Sequence, residues 1–430
     1  MKIRALSYCV LSAMAIHSYA DGSSQDQLNA LQAQISSLQT QINQLGTQSA
    51  MSNVIMQDTA NPFGLMPSPT MPLAIMQSKS SFNTPLIMGG TLEADAQWWG
   101  GSFSNNNNVG GLTYHTGSDV AISSANLYTM ANMGQWVTGY LSLQGNVGGF
   151  TNSQMTFDKA FLTVGNLQKN PIYFMVGKAY LPFGAFNGNG PFSNNLDTNT
   201  FRIQQTNQAS LNYFTNGIYT SITGFSNPNS NDVKDYVYDI SYTKLGNFNY
   251  TVGASYLYDI RDTNSGLGAS YPLTGQSGGS SSTNTLSGGR NGAFDINGAI
   301  GYGLYTLFGE FDTTQTNSTN LNGSSTGKMS AWDIAFDYAP VLWNIPTTFQ
   351  ISYSATNSMN NVSAGLSGMI VQAPQTMGTT DTNAGMQHEW LLSMSNQFFK
   401  NVFFSPEYQY ATLYNGTHTW TLTYDISAYF

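Results

Sequence analysis

Along residues 420–430, apolar and polar side chains alternate without a break. Trp420, Leu422, Tyr424, Ile426, Ala428 and Phe430 share one face of an extended strand. Thr421, Thr423, Asp425 and Ser427 share the other, with Tyr429 the one large residue there. A period of two is the mark of a β-strand with unlike faces. The alternation recurs upstream, where Leu92, Ala94, Ala96 and Trp98 oppose Glu93, Asp95 and Gln97. Tyr236 to Tyr242 leads through 244–247 into Tyr250, Val252, Ala254, Tyr256, Tyr258 and Ile260. Phe294 to Tyr302 turns at Gly303 into Tyr305 to Phe311, and Trp332 to Tyr338 turns through Ala339-Pro340 into Phe349, Ile351 and Tyr353. His388 to Met394 turns through 396–401 into Val402, Phe404, Tyr408 and Tyr410. Weaker segments near 125–133, 136–146, 153–163, 171–180, 207–215 and 217–226 bring the expected total over 85–430 to about sixteen strands.

The connections between these strands alternate in length. Those expected at 134–135, 164–170, 216, 244–247, 303, 339–346 and 396–401 are short, whereas 99–124, 181–206, 261–290, 314–327 and 357–384 are long and rich in Gly, Asn, Ser and Thr. Short turns at one end and long loops at the other characterise a transmembrane antiparallel β-barrel, and neither a sandwich nor a propeller produces that pattern. Composition agrees. Charged residues make up 8% of the chain, against roughly 25% in ordinary soluble proteins, while aromatics reach 13%. Disordered chains are poor in aromatics, and no run approaches the roughly 20 apolar residues of a membrane helix. The expectation is an all-β barrel. Its last strand, ending on Phe430, resembles the C-terminal signature that bacterial outer-membrane proteins present to their assembly machinery, and so implies residence among outer-membrane lipids of a Gram-negative cell.

The first residues carry an address of their own. Lys2 and Arg4 precede an apolar stretch from Ala5 to Ile16, and Ser18-Tyr19-Ala20 offers a small-x-small cleavage site. Residues 1–20 read as a signal peptide. Cys9, the only cysteine, lies inside it, so neither disulfides nor thiolate metal sites are expected beyond it. Leu28, Leu31, Ile35, Leu38, Ile42 and Leu45 then step by 3, 4, 3, 4 and 3 until Gly46. That heptad predicts a periplasmic coiled coil over 21–46 and a homo-oligomer joined through 28–45. A single amphipathic helix packed on the barrel is the alternative. Residues 47–84, with Pro62, Pro67, Pro69 and Pro72, read as an extended Pro/Met linker.

With the apolar face turned to lipid, the opposite face lines the lumen. It holds Glu93, Asp95, Asp239, Asp259, Asp295, Glu310, Asp312, Asp333, Asp337, Glu389, Glu407 and Asp425 as pore-lining candidates. A carboxylate ring favours cations; the alternative is that these acids merely pair with luminal hydroxyls and the few bases. Pro182-Phe183-Gly184 ends a strand and opens the long segment 185–206, where Lys178, Pro182, Phe183, Gly184 and Arg202 are candidates for a constriction. A rigid extracellular turn is the competing expectation. Without Lys2 and Arg4, 11 basic residues face 22 acidic ones, a net charge of −11 that makes nucleic acid a poor partner. No His pair has zinc-helix spacing and no nucleophile, base and orienting group are marked, so neither an enzyme nor a cofactor or metal site is expected.

Signal peptide, Gln-rich heptads, Pro/Met linker, about sixteen strands and a terminal Phe together resemble the siderophore porins typified by the Legionella legiobactin receptor, with relatives in Coxiella and Francisella. The resemblance implies outer-membrane uptake of a small solute, a ferric siderophore, with neither a plug domain nor energy coupling. A general diffusion porin and a surface adhesin share the same features.

Overall fold

The computed structural model describes residues 70–77, 86–101, 117–145, 155–226, 232–246, 248–268, 286–287, 289–320, 325–360 and 385–430. The expected signal peptide and coiled coil lie outside the described residues, as does most of the linker. Sixteen long strands dominate: β1 Leu86–Gly101, β2 Gly117–Met133, β3 Val137–Gly145, β4 Met155–Gly165, β5 Ile172–Ala179, β6 Thr206–Thr215, β7 Ile218–Ser226 and β8 Val233–Lys244. They continue as β9 Phe248–Leu257, β10 Ala293–Tyr302, β11 Tyr305–Thr314, β12 Ser330–Tyr338, β13 Ile345–Asn357, β14 Met386–Phe399, β15 Val402–Leu413 and β16 His418–Tyr429. Each pairs antiparallel with its sequence neighbours, and β16 returns to β1 in a register running from Thr91 opposite Tyr429 to Gly101 opposite Thr419. The barrel is closed, so none of its sixteen strands has an unpaired edge. At the seam, Phe430 N–H donates to Gly90 O (3.1 Å) and Gly90 N–H to Phe430 O (3.0 Å).

The pleat sorts the side chains. Outward positions carry exposed Leu92, Trp98, Leu162, Val164, Phe174, Val176, Ile296, Ile300, Ile334, Ile351, Leu392 and Ile426, whereas inward neighbours are mostly Thr, Ser, Asn, Gln and acids, with Tyr, Phe and Met joining them on β2 to β5. Aromatic pairs bracket this aliphatic band. Near the long loops, Tyr353 packs on Trp332 (5.3 Å between ring centroids) and Trp390 (4.6 Å); near the short turns, Tyr305 stacks on Tyr338 (5.1 Å). An apolar band between two aromatic girdles is the surface a barrel presents to lipid. The turns are tight where expected: Asn216 and Gly217 both take positive φ (48° and 80°), which a two-residue hairpin requires.

Two expectations need correction. Ile260 does not continue the outward face of β9. The strand ends at Leu257; Tyr258 still stacks on outward Tyr236 (4.8 Å between ring centroids), whereas Ile260 opens a 3-10 turn, Ile260–Asp262, and is buried. The linker is not extended throughout, because Thr70–Gln77 forms a two-turn helix, α1. Pro72 is tolerated there because it falls in the first turn, where N–H groups have no partner within the helix.

The lumen is partly filled. Met76 of α1 packs with Tyr128, Met130, Tyr140, Phe161 and Met175, all inward residues of β2 to β5. A second apolar cluster joins Leu181, Phe183, Phe201 and Ile203 to Phe225, Val237, Leu257 and Ile260 under the loops over β7 to β12.

Candidate functional site: an inward loop on an acidic wall

The segment between β5 and β6 folds into the barrel. Gly184, with φ of 76°, reverses the chain after buried Phe183, and the main chain then runs along the inner wall. Gly184 N–H donates to Ser255 Oγ on β9 (2.9 Å). Glu310 on β11 accepts Ala185 N–H at Oε1 (2.8 Å) and Phe186 N–H at Oε2 (2.6 Å). Glu407 on β15 accepts Phe192 N–H at Oε2 and Ser193 N–H at Oε1, both at 3.0 Å. Leu196 N–H reaches Ser354 Oγ on β13 (3.1 Å), where a short buried helix, α2 Leu196–Phe201, begins. Two wall carboxylates thus clamp the loop through charge-assisted hydrogen bonds, roughly twice as strong as neutral ones.

The clamp needs bare main chain. A Cβ on Gly188 would lie within 3.0 Å of Asp333 Oδ2, and one on Gly190 within 3.0 Å of Glu407 Oε2. Glycine lets each carboxylate rest directly against the loop.

Of the twelve expected acids, eleven lie on the inward face. Glu93, Asp239 and Asp337 are half-buried, whereas Asp95, Asp295, Glu310, Asp312, Asp333, Glu389, Glu407 and Asp425 are buried. Asp259 departs from the expectation. It lies beyond the end of β9, caps the 3-10 turn, and holds the Arg261 guanidinium at 2.5 Å. Lys178 also departs. It shares the outward face of β5 with Phe174 and Val176, and its Nζ donates to Phe157 O (2.7 Å). Pro182 and Phe183 form the corner into the loop, and Arg202 lies at the loop's return, its guanidinium 4.3 Å from the Tyr180 ring centroid.

Several residues of the site escaped the sequence reading. Asp235 is buried on the inward face of β8, and the parity that found Asp239 would have found it too. A bulge between β3 and β4 obscures the parity of Asp158 and Lys159. Lys159 is buried, with Nζ 4.8 Å from the Tyr180 centroid and 4.0 Å from Asp158 Oδ2, while Asp158 also accepts from Ser142 and Gln205. Asp197, on α2, has no strand parity to reveal it; it lies outside the membrane-spanning strands, and burial pushes its carboxyl up to about 6. β4 and β12 stand eight strands apart in the ring of sixteen. Lys159 therefore faces the wall of β10 to β15 across the lumen, giving a transverse arrangement of charge.

Among the described residues, the two histidines lie against outward aromatics. His388 Nδ1 lies 2.8 Å from Tyr353 OH among the outward aromatics, and His418 stacks on Tyr410. His115 lies outside the described residues.

The fold is that of known outer-membrane channels. The chain is similar to the outer-membrane channel DcaP of Acinetobacter baumannii (12% identity, 80% of this chain and 97% of that one, TM-score 0.53). It is similar to Salmonella typhi OmpF in a complex with daunomycin (10%, 80% and 97%, 0.53) and to Pseudomonas putida OprB (9%, 83% and 97%, 0.52). In sequence it is 25% identical over 190 residues to a UPF0422 protein of Coxiella burnetii, covering 41% of this chain and 38% of that protein. It is 30% identical over 78 residues to a UPF0422 protein of Legionella pneumophila (strain Lens), covering 17% and 15%. The chain thus spans less than two fifths of the length of either relative. Residues 53–281, more than half of the chain, match one family along their whole extent. The chain belongs to the family described as protein of unknown function DUF3573.

Proposed function

We propose that the protein is an outer-membrane porin that admits small polar solutes through a constriction bounded by the inward loop and favours cations over anions. The observation that carries this reading is the loop held across the acidic wall by Glu310 and Glu407. Of the expected acids that lie inward, the half-buried Glu93, Asp239 and Asp337 are the ones a solute would meet, and a low-dielectric wall strengthens their field. Solute transfer of this kind requires no covalent chemistry. The pore-lining role of the acids and the constricting role of Pro182, Phe183, Gly184 and Arg202 belong to the proposal. So do the oligomer through 28–45, delivery by the assembly machinery, and residence in the outer membrane.

The finer reading is selective uptake of a ferric siderophore, supported by the architectural resemblance alone. Two experiments separate it from general diffusion. In liposomes carrying the protein, selective uptake predicts slow swelling in neutral sugars; brisk flux graded by sugar size contradicts it. In a deletion strain, radiolabelled ferric siderophore uptake should fall and return on complementation, and unchanged uptake removes the siderophore reading.

A further inference from the structure

Beneath the inward loop, the register of the barrel sets like charges directly opposite one another. Asp295 on β10 faces Asp312 on β11, and Glu310 on β11 faces Asp333 on β12. Cross-strand like charges oppose folding, and here all four are also buried. The loop adds a fifth carboxylate, Asp197, itself fully buried. Among the described residues, no ion pair joins a basic side chain to any of the five.

Their oxygens are partly spoken for. Asp295 Oδ1 accepts from Ser255 and Asn297, Asp197 Oδ1 from Thr198 N–H, and Glu310 from the loop amides. Those bonds leave Asp295 Oδ2 and Asp197 Oδ2 without donors, and Asp312 and Asp333 meet no donor at either oxygen. Buried charged oxygens persist only when a counter-charge satisfies them. Two triads sharing Glu310 converge: Asp197, Glu310 and Asp333, and Asp295, Glu310 and Asp312. Within each, one oxygen per residue lies within 4.8 Å of the others. Three oxygens at that limit share a centre about 2.8 Å from each, so a slight closure brings all three to the 2.3–2.6 Å bond between calcium and oxygen. Buried carboxylates able to bind through one oxygen or two suit calcium, whereas magnesium retains several waters in strict octahedral order.

We propose that these five carboxylates hold a calcium-class divalent cation between the inward loop and the barrel wall. The triad of Asp197, Glu310 and Asp333 joins loop to wall, so the ion pins the loop in place. Asp295 and Asp312 complete the negative charge behind it. Strand parity sends four of the five inward but cannot bring them together or find Asp197, because the five come from four separate elements and have no motif spacing.

The test uses the full-length protein folded in detergent, stripped with chelator, and titrated with calcium chloride at pH 7.5 by calorimetry. The expected result is saturable binding and a higher unfolding temperature with calcium than with chelator. Asp333→Asn and Asp312→Asn should each weaken binding by about tenfold or more, while Asp232→Asn, an exposed loop acid, leaves it intact. Should the strand variants fail to fold, Asp197→Asn removes the loop's own ligand without touching a strand. Absence of saturable binding overturns the proposal and leaves the cluster as protonated acids. Binding that survives Asp333→Asn, Asp312→Asn and Asp197→Asn overturns it equally.

Discussion

Gly188 and Gly190 allow Asp333 and Glu407 to touch the loop's main chain, and each glycine can be tested alone. Gly190→Ala should push the loop away from Glu407, lowering stability by about 1–3 kcal/mol, the usual cost of overpacking. Equilibrium unfolding in urea checks the energy, and faster proteolysis within 184–195 checks the displacement. Unchanged values of both would mean the loop does not depend on this approach. Glu407→Gln is the complementary change, since one of the two accepting oxygens becomes an NH2 that faces a loop N–H as donor against donor while the charge is lost. Losing one charge-assisted bond and weakening the other should cost about 1–3 kcal/mol. Hydrogen exchange at the Phe192 and Ser193 amides should accelerate, and unaltered protection there would contradict the clamp. The inward direction of Glu407 was legible, because Val402, Phe404, Tyr408 and Tyr410 mark the other face of its strand. Its partner was not, since Ser193 lies 214 residues away and offers only a main-chain N–H.

Strands and turns were the most legible elements, because lipid on one side and polar lumen on the other impose a period of two on each strand. Legibility ended where that constraint ends. β9 stops at Leu257, and Ile260 turns inward to an apolar cluster that joins strand ends to loop residues carrying no periodicity. α1 was hidden for the same reason, as its eight residues, two Met and one Pro among them, show no helical stripe. Long-range bonds fix it instead: Gln77 Nε2 donates to Gly165 O (2.6 Å), Gln77 Oε1 accepts Leu167 N–H (2.8 Å), and Thr70 Oγ1 pairs with Tyr173 OH at 2.5 Å. Because α1 packs on inward residues of β2 to β5 near the short turns, it narrows that end of the lumen. Deleting residues 70–77 should raise single-channel conductance while the barrel keeps its heat-sensitive mobility on gels. Equal conductance with an intact barrel would show that α1 does not restrict the path.

At the scale of the whole molecule, the barrel separates charge across its lumen. Carboxylates gather on β10 to β15, and Lys159 with Arg202 flanks Tyr180 on the facing side. Glu310 and Glu407 are engaged in holding the loop and Asp333 rests against it, so on the proposed reading these three shape the passage without contacting what traverses it. On the proposed function, selectivity rests on the half-buried Glu93, Asp239 and Asp337. This division of labour is invisible to strand parity, which sends all of them inward alike. Its most direct test is the reversal potential of single channels in planar bilayers under a potassium chloride gradient. The unaltered protein should give a potential of cation-selective sign, which shifts towards zero in Glu93→Gln/Asp239→Asn/Asp337→Asn and far less in Glu389→Gln, whose carboxylate is buried. A potential of anion-selective sign, or one unmoved by the triple substitution, would contradict the account.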